Sequence, residues 1–149
     1  NEEGAYKSIE NLNDKLNEVN RENRRLEEII SNYEIKEMIE NAQKINNISV
    51  IVKTYENKTM NYINKIANKI SERDDMVALF ALTNNDKLNL LFACSKNLEQ
   101  LDMNNLLKDS IKLVDGKGGG SKVLAQGGGK NNGNLDSLFD YVKMKLKSN

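Results

Sequence analysis

Lys117, Lys122 and Lys130 stand beside two triple-glycine runs, Gly118-Gly119-Gly120 and Gly127-Gly128-Gly129. Eight of the nine glycines fall between Gly116 and Gly133, so the clustering needs a cause. Glycine costs backbone entropy and offers no side chain. Its density points to positive φ or to close approach of another group to the bare backbone. Exposed amides flanked by ammonium groups make a concavity for an anion, phosphate above all. The chemistry expected here is binding of a polyanion rather than catalysis. A flexible linker is the competing account of glycine-rich sequence. Val123-Leu124-Ala125 interrupts the glycines with residues that would pack, which favours an ordered loop.

Established phosphate motifs do not account for the segment. The fingerprint Gly-x-Gly-x-x-Gly ends on Ser121, Val123 or Asn132 in the frames that start at Gly116, Gly118 or Gly127. A P-loop would need glycine where Leu124 stands and Ser or Thr where Asn131 stands. Histidine is absent, which removes His-based proton transfer, Ser-His-Asp triads and His-ligated zinc. One cysteine, Cys94, cannot form an intrachain disulfide or a thiolate zinc site, and it ends an apolar run as a core residue would. Asp74-Asp75 and Asp136/Asp140 are the nearest paired carboxylates, and both read as solvated or capping residues. No catalytic residue, metal site or cofactor site is expected.

The elements that must position the glycine segment follow from periodicity. Ala5, Ile9, Leu12, Leu16, Val19, Asn23, Leu26, Ile30 and Tyr33 alternate at spacings of four and three. That is a heptad seam on a long helix, too narrow for a globular core and suited to pairing with another helix. Asn23 occupies a seam position, where a buried amide can fix register. The helix should run toward Ala42, giving a coiled-coil arm over residues 1–43 and a globular domain over 44–149. Within the globular part, Ile48–Tyr55 reads as a strand. Asn57 caps a helix bearing Met60, Ile63, Ile66, Ala67 and Ile70. Met76–Leu82 and Leu88–Cys94 read as buried strands joined by turn residues Asn84-Asn85-Asp86. The first two strands and their helix should make a parallel βαβ unit, and the last two an antiparallel hairpin. Asp102 caps the next helix, with Gly116 ending it in a left-handed conformation. A short strand at Lys122–Gln126 and a last helix capped by Asn134 complete the pattern. Lys143, Lys145 and Lys147 suit either the helix dipole or an anionic partner. The fold class is α/β, a small mixed sheet of three to four strands flanked by helices and preceded by a long coiled-coil helix.

The 149 residues carry no net charge, yet the charge is uneven: residues 1–40 sum to −5 and residues 116–149 to +4. The acidic front and basic tail put an anionic partner at the glycine end. The single cysteine suits a reducing, cytoplasmic compartment, and no apolar run is long enough to cross a membrane. The chain opens inside a helical pattern without methionine and reads as part of a longer protein.

Gly118-Gly119-Gly120, four residues, Ala125-Gln126 and Gly127-Gly128-Gly129 resemble the glycine signature that closes alanyl-tRNA synthetases. The DHH-associated domain shared with DHH-family phosphoesterases carries the same signature. Ser95-Lys96 after the third predicted strand fits the family as well. The resemblance implies a non-catalytic carboxy-terminal module that binds the elbow of tRNA, assists aminoacylation and editing on one tRNA, and can dimerise through its arm. The parent would be an alanine–tRNA ligase. Its RNA-binding residues would be Lys117, Gly118, Gly119, Gly120, Ser121, Lys122, Gln126, Gly127, Gly128, Gly129 and Lys130. Lysines would neutralise phosphates, and Ser121 and Gln126 would hydrogen-bond ribose or base edges. Oligomerisation would use Ile9, Leu12, Leu16, Val19, Asn23, Leu26 and Ile30. Two other readings remain: a structural module whose coiled coil carries the function, or a substrate-binding accessory of a phosphoesterase. The phosphoesterases place histidine after the first triplet, where this chain has Ser121.

Overall fold

The computed structural model describes residues 2–148 and divides into two compact units, Asn1–Glu37 and Met38–Asn149. The first unit is built on the helix α1, Glu2–Glu40, which stops slightly short of the expected Ala42. Its seam residues are all exposed in the single chain: Ile9, Leu12, Leu16, Val19, Leu26 and Ile30 retain 44–66% of their surface. No proline interrupts the helix, and Glu22 and Arg25 form an exposed ion pair at 2.7 Å, a contact of small energetic weight.

The second unit contains the strands β1 (Gln43–Ile45), β2 (Ile48–Glu56), β3 (Met76–Asn84), β4 (Lys87–Cys94), β5 (Lys117–Gly120) and β6 (Leu124–Lys130). Its helices are α2 (Met60–Ser71), α3 (Met103–Ser110) and α4 (Leu135–Lys147), and a 3-10 turn, Ile111–Val114, follows α3. The six strands form one sheet in the order β1-β2-β3-β4-β6-β5, two strands more than the expected maximum of four. β2 and β3 are parallel, joined through α2, and every other pair is antiparallel. The βαβ unit and the hairpin expected from the apolar runs are therefore present.

Alternation along the strands sets the two faces. Val77, Leu79, Leu88, Leu90 and Phe92 share one core with Leu106, Leu107, Ile111, Val114, Leu138, Phe139, Val142 and Leu146, so α3, the 3-10 turn and α4 cover that face. On the other face α2 packs on β3 and β4 through the buried Ile63, Ile66, Ala67 and Ile70. Each of these isoleucines contributes about 1.5–3 kcal/mol by leaving water. Tyr55 bridges strand and helix on this face, edge-on to both Phe80 and Tyr62.

Caps follow local stereochemistry, with three departures from expectation. Thr59, not Asn57, caps α2: its hydroxyl accepts the Tyr62 N–H at 3.1 Å. Asn57 sits at φ 58° in the turn that leaves β2, a conformation Asn tolerates but a cap does not use. Asp115, not Gly116, takes the left-handed position that ends the 3-10 turn. Asn134 precedes α4 as expected but makes no cap bond, because its amide donates to the Leu113 carbonyl at 3.1 Å. Asp102 caps α3 as expected, accepting the Asn105 N–H at 3.1 Å.

Ser95 is buried and satisfied: its hydroxyl accepts the Met76 N–H at 2.9 Å and donates to the Arg73 carbonyl. Beside it, Cys94 lies in the core, and burial followed by the Asp102 carboxylate pushes its thiol up to about 11. The charged form is disfavoured in the fold, so this thiol's contribution to stability is complete below about pH 9 and is lost between about pH 9 and 11. At pH 8 Cys94 should resist iodoacetamide in the native protein and react promptly in urea. Equal rates in both states would place it outside the core.

Candidate nucleic-acid interface

β5 and β6 make a hairpin whose turn is Ser121–Leu124. The Ser121 N–H donates to the Leu124 carbonyl at 2.8 Å, and the Ser121 hydroxyl accepts the Leu124 N–H at 3.2 Å. α3 pins the turn, with the Met103 N–H donating to the Lys122 carbonyl at 2.9 Å. Both glycine triplets are therefore strand rather than loop. The short strand expected at Lys122–Gln126 instead runs from Leu124 to Lys130, and a strand over Lys117–Gly120 was not expected.

Positive φ does not explain the triplets. Among the described glycines only Gly133, at φ 86°, has a left-handed backbone. Close approach does explain them, and the approaching group is the protein itself. A Cβ at Gly127 would lie 2.6 Å from Ile111 Cδ1 and 2.7 Å from the Lys117 carbonyl oxygen. One at Gly118 would lie 2.5 Å from the Gln126 carbonyl oxygen. The glycines let the ribbon coil on itself and seat under α3 and the 3-10 turn.

This geometry revises the amide cradle expected from sequence. β6 is an interior strand, paired to β4 on one side and β5 on the other, so its amides are committed to ladders. β5 is the sheet edge. There the Gly120 N–H donates to Asn104 Oδ1 at 3.0 Å, and the ladder alternation turns the Gly118 N–H and carbonyl the same way, toward the free edge.

The three lysines are not gathered in one place. Lys117 pairs with Gly128 in the ladder and Lys130 with Lys87, both at one end of the ribbon. Lys122 is in the hairpin turn at the other end. Ala125, Gly127 and Gly129 face the helices, whereas Gln126, Gly128 and Lys130 face the opposite side. Gln126, Gly128 and Lys130 are exposed there, and α2 packs chiefly on β3 and β4. The result is an uncovered strip of sheet with a glycine floor. Sequence reasoning passed over its other members, Lys87 and Asn89 on β4. Polar residues at alternate positions before Leu88 and Leu90 were the available signal. Asn104, the α3 residue that holds the ribbon edge, was also passed over.

Among the described residues no group of His, Cys, Asp or Glu could hold a metal ion, and no helix is long and apolar enough to cross a membrane. The interface offers cations, carboxamides and bare backbone. Those groups are of the kind that can hold a polyanion.

Comparison with known proteins agrees with this layout. The DHHA1 domain matches residues 47–148. An alanine–tRNA ligase of Methylacidiphilum infernorum is 36% identical over 103 residues, 68% of this chain and 11% of the ligase. The chain thus spans a small part of the length of that relative. Among solved structures, the C-Ala domain of alanyl-tRNA synthetase from Aquifex aeolicus superposes with a TM-score of 0.68 at 21% identity, covering 72% of this chain and 98% of that one. RecJ of Thermus thermophilus, solved with Mn2+, shares the fold with a TM-score of 0.61 at 15% identity, over 89% of this chain and 18% of RecJ. With the glycine ribbon, the six-stranded sheet and the match over residues 47–148 in agreement, the chain belongs to the DHHA1 domain family.

Proposed function

We propose that this chain is a non-catalytic tRNA-binding module of an alanine–tRNA ligase, which engages the elbow of tRNA and assists aminoacylation and editing on the same molecule. The observation that carries the reading is the glycine ribbon at the sheet edge, with one face uncovered and with Lys117 and Lys130 at one end. A glycine floor lets a bulky sugar–phosphate chain approach the backbone closely. Folded RNA is read largely by shape and 2′-hydroxyls, which suits a surface with few side chains. The similarity to alanine–tRNA ligases makes tRNA the natural polyanion.

The test is binding of fluorescently labelled tRNA by the full chain at about 50 and 200 mM KCl. With three phosphates neutralised, affinity should fall about 40-fold across that range. Changing Lys117, Lys122 and Lys130 together to Ala should remove most of that salt dependence and weaken binding at low salt. Affinity untouched by the triple change would overturn the reading.

A second role is supported by a separate observation. Six apolar seam residues of α1 are exposed in the single chain, which fits pairing of this helix with a second copy of itself. The two roles are compatible, because a pair of chains offers two ribbons to one RNA.

A further inference from the structure

The uncovered face holds a feature that phosphate binding by the predicted lysines does not use. Lys87 stands directly across the ladder from Lys130, and Asn89 directly across from Gly128. Strand alternation turns Lys87 and Asn89 of β4 to the same side as Gln126, Gly128 and Lys130 of β6, since Leu88, Leu90, Ala125 and Phe92 fill the opposite core. Like charges at directly opposed positions destabilise a sheet. Neither lysine forms an ion pair with another described residue, Asp86 beside Lys87 included. The two strands that carry them, from Lys87 to Ala93 and from Leu124 to Lys130, include no carboxylate.

Between the two lysines and the hydrophobic core lie two carboxamides. Asn89 is half-buried and Gln126 exposed, and neither side chain hydrogen-bonds to another described residue. A Cβ on Gly128 would come within 3.3 Å of Asn89 Oδ1, so the missing side chain leaves the Asn89 carboxamide open from above. Opposed residues in a ladder are about 5 Å apart and diagonal ones about 7–8 Å. On this face the Lys87/Lys130, Asn89/Gly128 and Leu91/Gln126 pairs follow one another, so Asn89 is diagonal to both Lys130 and Gln126 and the four side chains form a row about 13 Å long, phosphate end to base end. A carboxamide presents an acceptor and two donors in one plane and can pair in two-pronged fashion with a base edge.

We infer that Lys87, Asn89, Gln126 and Lys130 form a nucleotide-reading pocket on the open sheet face: the lysine pair takes a phosphate, and the two carboxamides take the edge of one unpaired RNA base. This deepens the tRNA-binding reading and rests on it.

The experiment measures the full chain against tRNA and against short homopolymers of A, C, G and U. Asn89→Ala and Gln126→Ala should each weaken tRNA binding about tenfold at fixed salt and level the preference among the homopolymers, with the salt slope unchanged. Lys87→Ala should reduce the salt slope by about one while raising thermal stability, because it removes the like-charge opposition. A purely structural lysine would not split those two readouts. If wild type binds tRNA and both carboxamide variants bind it equally well, the pocket is refuted and the tRNA-binding reading stands. If wild type binds no tRNA, both fall. Equal binding of poly-glutamate would reduce the face to a charge patch and also refute the pocket.

Discussion

Gly127→Val is expected to destabilise the globular unit by about 3 kcal/mol, the upper part of the usual range for overpacking. Of the three atoms in its way, Ile111 Cδ1 can swing aside. The other two, the Lys117 carbonyl oxygen and Gly118 Cα, are backbone of β5, held in the β5–β6 ladder, and cannot move without opening it. The urea midpoint should fall accordingly, and the melting temperature by roughly 15 °C. Gly128→Ala is the informative companion. Its Cβ would meet only the movable Asn89 Oδ1, at 3.3 Å, and the Leu88 carbonyl oxygen at 3.8 Å. Stability should stay within about 0.5 kcal/mol of wild type, while tRNA affinity drops because the floor is raised. On the proposed reading the adjacent glycines serve different ends, one packing and one access. Equal destabilisation by both changes would mean that the ribbon is packed on both faces, and the proposed interface would be lost.

A second large effect is expected in the arm. If α1 pairs with a copy of itself, Leu16→Asp with Leu26→Asp removes four buried leucines per dimer. At about 1.5 kcal/mol each, that is about 6 kcal/mol, or roughly 10,000-fold in dissociation constant. Sedimentation should then show the wild type as a dimer at micromolar concentration and the variant as a monomer. Residues 1–40 carry a net charge of −5, so pairing two arms brings like charges together, and added salt should tighten the dimer. A wild-type chain that stays monomeric at about 100 μM, in low or high salt, would remove the pairing reading (the concentration is chosen as roughly the weak limit for a functional dimer).

The sheet's centre was legible because apolar and β-branched runs say strand directly. Met76–Leu82 and Leu88–Cys94 are almost wholly apolar, and the parallel crossover from Ile48–Tyr55 through α2 followed from the order of the elements. Both ends of the sheet were hidden, for different reasons. β1 spans three residues, too short for any period to appear. β5 and much of β6 are glycine, which carries no strand signal; their strand character comes from the neighbours β4 and α3. The lysines beside the glycines prompted the proposal of anion binding, but the sequence did not reveal which face of the ribbon is open. Whether Gln126 and Lys130 point to helix or solvent depends on the register of β6 against β4, and register is set by partners far away in the chain. Asn89 escaped notice because it sits within a run of leucines and reads as an incidental polar residue until Gly128 is seen opposite.

That separation has an outcome for biosynthesis. Gly129 joins Leu88 across about forty intervening residues, and the helix that seals the other side, α4, comes later still. A nascent chain has the central strands and α2 in hand well before it has a ribbon. The proposed surface for RNA is therefore completed only when Lys130 and α4 have left the ribosomal tunnel, and on that proposal an unfinished copy could not yet sequester tRNA from the translation that is making it.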